Sequence, residues 1–359
     1  MATPPPSLLP LIDKAFQAVH DEDAGLFRQS IMPVLTEAKQ SPPQLLTEGI
    51  ERIAPVLPGL TGVFAKLGVI AGALVEAGGS PVPLAGVLPQ PAAESMAACA
   101  VFAPVWARAT GDQPLPTPGE GPTPLEVRLM LAQEAARSGL SEAELARVVA
   151  AWFGLGDVLL PMITAMGHRE FRAAVSPADL ARVRETAAAI ADREQNAQWV
   201  LGLSLVLDDE PLIVLDPATE RGWALTMGGV GDNFQLHTLL ADRLIGDPAQ
   251  GLLAGERPAP AWVRAATDAF PQVAADDPVL CRFQLYDGHG SYVYAEGRPA
   301  DIRPLEGTRV LVVRPERGRF GWGVGRVYMN MAPSLTLDRT LAADEAAGWL
   351  ARITPGKER

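Results

Sequence analysis

From Leu8 onward, apolar side chains recur at every third or fourth position. LLPLIDKAFQAV and LFRQSIMPVLTEA keep that spacing, and prolines punctuate the intervals, so the pattern predicts a run of helices through about residue 110. GVFAKLGVIAGALVEAG, residues 62–78, is apolar nearly all round. Its small residues predict a central helix that neighbours approach closely. TGDQPLPTPGEGPTP, residues 110–124, then places five prolines and three glycines in one stretch, a composition for a loop or linker. Helices resume at PLEVRLMLAQEAARSG. Ser141 with Glu144, and Ser176-Pro177 with Asp179, have the spacing that satisfies the free amides of two further helix starts.

Near Gln198 the periodicity changes. WVLGLSLVL, PLIVLD and GWALTMGG are short and apolar, separated by DDEP and PATERG, which predicts an antiparallel meander. GVGDNFQLHTLLADRLIG, residues 229–246, reads as a glycine bend leading into an amphipathic helix. Asp232 caps it, Gln235 reaches back, Leu236, Leu239, Leu240 and Leu244 share one face, and Gly246 with Asp247-Pro248 ends it. VLCRFQLYD, SYVYAEG and TRVLVVRP predict three more strands, GRVYMN a seventh, and LAADEAAGWLARI a last helix capped by Thr340. The expected architecture is therefore α + (α+β). An N-terminal all-helical bundle, residues 1–195 with loop 110–124 inside it, precedes a C-terminal α+β domain, residues 196–359, on a mainly antiparallel sheet.

Composition narrows the function classes. A chain of 359 residues exceeds one ordinary core, and 48% apolar with 20% charged residues is a globular balance. The net charge of −12 argues against general nucleic-acid binding, which needs a basic surface. Only Lys14, Lys39, Lys66 and Lys357 are lysines among the 30 basic residues, and with abundant Ala, Gly and Pro this fits a high-GC bacterial genome. Cys99 and Cys281 lie far apart in apolar settings that suit buried thiols, and neither has a histidine near it in sequence. A reducing cytoplasm is the expected compartment. MATPPPSLLP carries no signal pattern, and the apolar stretches 60–75 and 148–166 are interrupted by Lys66 and by Asp157 and Pro161, so no membrane span is expected.

GDNFQLHTLLADRLIG, GRPADIRPLEGTRVLVV and GVIAGALVEAGGSPVPLA resemble phrases from a family of mostly actinobacterial proteins to which no activity is attached. The resemblance spans most of the chain. It implies that the two halves recur as one unit, and implies no activity, cofactor or site residue.

Candidate chemistry is sparse. His237 stands at the margin of the leucine face, while Asp287 and His289 sit in the tight turn of LYDGHGSYVY. Carboxylate with imidazole is the usual stock of general acid–base work, so His237, Asp287 and His289 are the catalytic candidates. With Asp232 they would make a two-His, two-carboxylate set able to hold zinc or iron. The competing reading makes His237 a partly buried imidazole bonded to the neighbouring sheet, and Asp287-Gly288 an ordinary hairpin, with Gly288 and Gly290 at positive φ. MGGVGDN lacks the βαβ setting and lysine of a nucleotide loop and reads as a bend. RPERGRFGWGVGR combines arginines with aromatics, so Arg317, Arg319, Phe320 and Trp322 are the candidate interaction surface. No G-x-S-x-G elbow occurs. The leading expectation is an interaction, scaffold or binding protein with a protein partner or self-association. The alternative is a small-molecule- or peptide-modifying enzyme with its site between the 232–237 helix start and the 287–289 turn, with a divalent metal as the candidate cofactor.

Overall fold

Among the described residues up to Ser204, the regular elements are all helices. A computed structural model describes residues 7–111, 113–268, 279–315 and 321–356, with only the backbone of 279–280. The chain divides after Ser204 into two compact units.

The first unit contains α1 (Leu8–His20), α2 (Ala24–Ala38), α3 (Pro43–Ile53), α4 (Lys66–Glu76), α5 (Pro89–Thr110), α6 (Pro124–Arg137), α7 (Glu142–Met166), α8 (Arg169–Ala174), α9 (Pro177–Ala188) and α10 (Gln195–Ser204). Local chemistry sets several boundaries. Thr123 with Glu126 and Ser141 with Glu144 form reciprocal capping boxes at the starts of α6 and α7, satisfying amides that no preceding turn can reach. Gly111 in the left-handed conformation ends α5. In α4, a Cβ on Gly72 would lie 3.1 Å from Pro161 Cα of α7, so glycine is what lets these helices meet. The 110–124 loop is pinned to the helices: Trp152 Nε1 donates to Pro116 O at 2.8 Å, and the Trp152 ring stacks on Phe102 with centroids 5.0 Å apart.

Among the described residues, α7 is the one helix long and apolar enough to cross a bilayer. Half of that window is buried, and Asp157 within it pairs with Lys66 at 2.8 Å. The stretch WVLGLSLVL is not a strand. Its first part belongs to α10, where Glu194 accepts from Ala197 N and the apolar side chains of Ala197, Val200 and Leu203 are buried. A short apolar run fits a buried helix as well as a strand, and here the Glu194 cap favours the helix.

The second unit is built on β1 (Glu210–Asp216), β2 (Arg221–Gly228), β3 (Val279–Leu280), β4 (Phe283–Asp287), β5 (Arg309–Pro315), β6 (Gly321–Trp322) and β7 (Ser334–Thr340), with α11 (Asn233–Leu244), α12 (Pro260–Thr267) and α13 (Ala343–Leu350). Five strands form a mostly antiparallel sheet in the order β4-β5-β1-β2-β7, in which β1 and β5 run parallel; β3 and β6 form a separate pair. The unit is α+β. Leu212, Val214, Trp223, Leu225, Leu285 and Leu311 project from one face into a core shared with Leu236, Leu240 and Leu244 of α11. Ile213, Leu215 and Val310 project from the other toward Ala346 of α13. Covering both faces explains why β1 is buried almost continuously.

Three strand assignments differ from the pattern. VLCRFQLYD is broken into β3 and β4, SYVYAEG contributes a single bridge at Tyr292 to Tyr286, and GRVYMN is not a strand. The edge strand is instead SLTLDRT, so Thr340 closes β7, and Ala342 rather than Thr340 caps the last helix. An edge strand buries one side only, here at Leu335, and its polar remainder resembles a loop.

Candidate functional site

The α11 start is assembled by its own sequence. Asp232 caps the helix, its carboxylate accepting from Gln235 N at 2.8 Å. Gln235 does not return to Asp232 as a capping box would. Its Oε1 accepts from Gly231 N at 2.8 Å and its Nε2 donates to Ala266 O. Burial pushes the Asp232 carboxyl above its ordinary value, against the lowering effect of the amides of Gln235 and Phe234. The preceding glycines form the bend: Gly229 has φ +66°, and its N–H donates to Leu207 O at 2.9 Å. With the Gly231 and Asn233 amides also engaged, by Gln235 and by Gly297 O, these donors are already satisfied within the protein.

Burial extends around almost the whole of α11 and does not stop at a leucine face; Asn233, Gln235, His237 and Thr238 are buried too. His237 Nε2 lies 3.1 Å from Phe283 O, at the start of β4, and 3.3 Å from the Arg282 amide. Its ring rests on Phe283, centroids 4.7 Å apart, and meets the Trp322 ring edge-on at 4.9 Å. Asp287 stands at the other end of β4, four residues on, which is about 13 Å along an extended strand. There its Oδ1 accepts from His289 N at 3.0 Å and Ser291 N at 2.7 Å, closing the turn. Gly290 alone of the two turn glycines has positive φ, +79°. The His289 ring bonds the Pro304 carbonyl.

The proposed set of Asp232, His237, Asp287 and His289 is therefore not one site. Asp232 and Asp287 each bind backbone amides at different places, His237 and His289 each bond a different carbonyl, and no three metal-ligating side chains come together among the described residues. Of the expected interaction loop, Arg317, Arg319 and Phe320 lie outside the described residues. Trp322 is described and is not an exposed anchor: it packs against His237, Phe234 and Trp262.

What the structure does bring to His237 is Cys281. The thiol sulfur is 3.6 Å from Nε2 and 3.3 Å from Phe283 O. Cys281 is half-buried and lines a cavity of about 540 Å³, together with Phe283, Leu253, Val313, Arg221 and Glu256. The cavity lies at the carboxyl ends of the parallel strands β1 and β5, beyond Asp216 and Pro315. Cys99, in contrast, is fully buried, and burial pushes its thiol up to about 12. Forty-four residues separate Cys281 from His237, so only tertiary packing joins them.

In the first unit, α6 has two apolar faces. Val127, Leu131 and Ala135 are buried. Leu125, Leu129 and Met130 are 57%, 67% and 52% exposed, and Ala132 and Ala136 continue the outer stripe at spacings of four, three and four. Large apolar side chains this exposed, in register on one helix, are the kind of patch that marks an interaction surface. Comparison with protein-family profiles, with curated proteins and with solved structures gives no match.

Proposed function

We propose that the protein is a scaffold-type interaction protein of the bacterial cytoplasm that associates with a second copy of itself through α6. The outer stripe of Leu125, Leu129, Ala132 and Ala136 carries this reading. Its spacing is that of a two-helix seam, and its distribution is self-complementary. In an antiparallel pair with the twofold axis crossing the stripe midway between Leu129 and Ala132, Leu125 meets the partner's Ala136 and Leu129 meets the partner's Ala132. Large side chains thus oppose small ones. The same arrangement brings Glu126, at the start of the helix, near the partner's Arg137, with helix dipoles opposed.

The energetics predict a weak dimer. Covering the exposed half of a leucine contributes about 1 kcal/mol, so four leucines contribute about 4 kcal/mol. Association costs at least about that much, so the leucines only offset it, and a dimer in the millimolar range takes about 4 kcal/mol more from the alanines and flanking charges around them. Sedimentation equilibrium tests the reading: the intact protein is expected to show a concentration-dependent monomer–dimer equilibrium, and Leu129→Lys to weaken it about 30-fold, the equivalent of about 2 kcal/mol for two leucines. A wild-type protein that stays monomeric at millimolar concentration, or a variant that dimerises equally well, overturns it.

A further inference from the structure

We propose that Cys281 is a thiol–disulfide exchange site, with His237 as its general base and the cavity beside it as the seat of a small-molecule disulfide. The geometry supplies three parts of such a site. The nucleophile borders the cavity, while the base is 3.6 Å from its sulfur and buried among Phe283 and Trp322. The third part is the Phe283 carbonyl, 3.3 Å from Sγ and 3.1 Å from Nε2. That oxygen accepts the thiol proton before transfer and the imidazolium N–H after it, so both ends of the transfer have a partner already in place. With Nε2 unprotonated, the tautomer that can act as base, it accepts from the Arg282 amide at 3.3 Å.

The step balances with the disulfide as oxidant. As His237 takes the Cys281 proton, the sulfur attacks one sulfur of R–S–S–R. The Cys281–S–S–R bond forms, the R–S–S–R bond breaks, and R–S⁻ leaves with the proton from His237. The charged groups around the cavity have partners: Glu256 pairs with Arg282 at 3.2 Å, Asp216 bonds Ala218 N and Thr219 Oγ1, Arg221 bonds Pro248 O, and Arg314 lies over the Tyr286 ring. Leu252, Leu253, Phe283, Val313 and Pro315 supply apolar wall, so the fitting ligand is an uncharged or aromatic disulfide.

The test uses 2,2′-dithiodipyridine on the intact protein, following thiopyridone release. One thiol is expected to react in the native state, at least tenfold faster than the same residue in urea, and a second, Cys99, only after unfolding. Cys281→Ser removes the fast phase. His237→Gln, which keeps a side chain able to bond the Phe283 carbonyl, slows it about tenfold or more, with an unchanged circular dichroism spectrum confirming the fold. Leu253→Trp, which fills the cavity without touching the pair, slows it as well. A native Cys281 no faster than in urea overturns the proposal, as does a folded His237→Gln protein reacting at the wild-type rate. An unaffected Leu253→Trp protein removes the cavity from it.

Discussion

Replacing Gly229 by alanine tests whether the glycine loop before α11 is a packed bend or an open, ligand-accessible turn. Two costs add at this position. The backbone has φ +66°, where an L-alanine is strained by roughly 1–2 kcal/mol. The new Cβ would also lie 2.8 Å from Ala332 O, a backbone atom that cannot rotate aside; such overpacking costs about 1–3 kcal/mol more. Gly307 provides the internal control in the same unit. It has φ +84° and open space around its Cβ position, so Gly307→Ala carries the strain alone. The expected losses are about 1–2 kcal/mol for Gly307→Ala and about 2–5 kcal/mol for Gly229→Ala. Urea unfolding followed by hydrogen exchange in peptides from β2 and α11 reads both within their own unit. Equal losses would contradict the reasoning: they would mean that the Ala332 carbonyl does not close the loop, leaving an open turn of the kind that binds anions.

Three other perturbations probe separate parts of the account. Ser141→Ala removes half of the capping box at the start of α7 and is expected to cost about 1 kcal/mol in thermal melts. Because the Ser141 hydroxyl and amide hold the Glu144 carboxyl below its usual value, that cap stabilises the fold above the ordinary glutamate range and is lost as pH falls through the lowered value; the variant, which keeps only the amide bond, should show a weaker dependence in its melting curve. His168 is held below its ordinary value, first by burial and then by Arg172, with Glu170 opposing. Its neutral form is therefore favoured in the folded state, and stability should fall as pH drops below about 6.5, a decline that His168→Phe flattens in melts across that range. Asp287→Ala strands two backbone amides and should cost about 2–3 kcal/mol, whereas Asp287→Asn retains an acceptor and should cost markedly less; identical losses in urea titrations would show that the carboxylate's charge, and not its bonding geometry, matters there.

Where the determinants are local, the sequence is a good guide to the fold. Asp232 starts α11 and Ser141 starts α7 because a cap needs only its own next turn. The strands PLIVLD and TRVLVVRP are read directly, since both are bounded by turn chemistry and buried along most of their length. Where a decision belongs to packing, the pattern misleads. The apolar run at residues 199–207 fits strand and helix alike, and β7 hides because its outward face is polar. The candidate sites depended on contacts between distant segments. Asp287 and His237 meet at no common point because Asp287 ends β4 while His237 of α11 packs on its start, and Cys281 reaches His237 only through that packing. On α6 the sequence shows apolar residues on two faces, and periodicity alone cannot tell that Val127 and Leu131 go inward while Leu125 and Leu129 stay outside.

Cross-linking through α6 tests self-association and its register together. In the antiparallel pair, Leu125 faces the partner's Ala136, whereas two copies of position 125 are eleven residues apart, about 16 Å along the helix. That exceeds the Cα separation of about 7 Å that a disulfide can span. In a Cys281→Ser background, mild oxidation of the Leu125→Cys/Ala136→Cys double variant should therefore give a covalent dimer, and either single variant should give none. A double variant that remains monomeric, or single variants that cross-link as readily, would contradict association through this face.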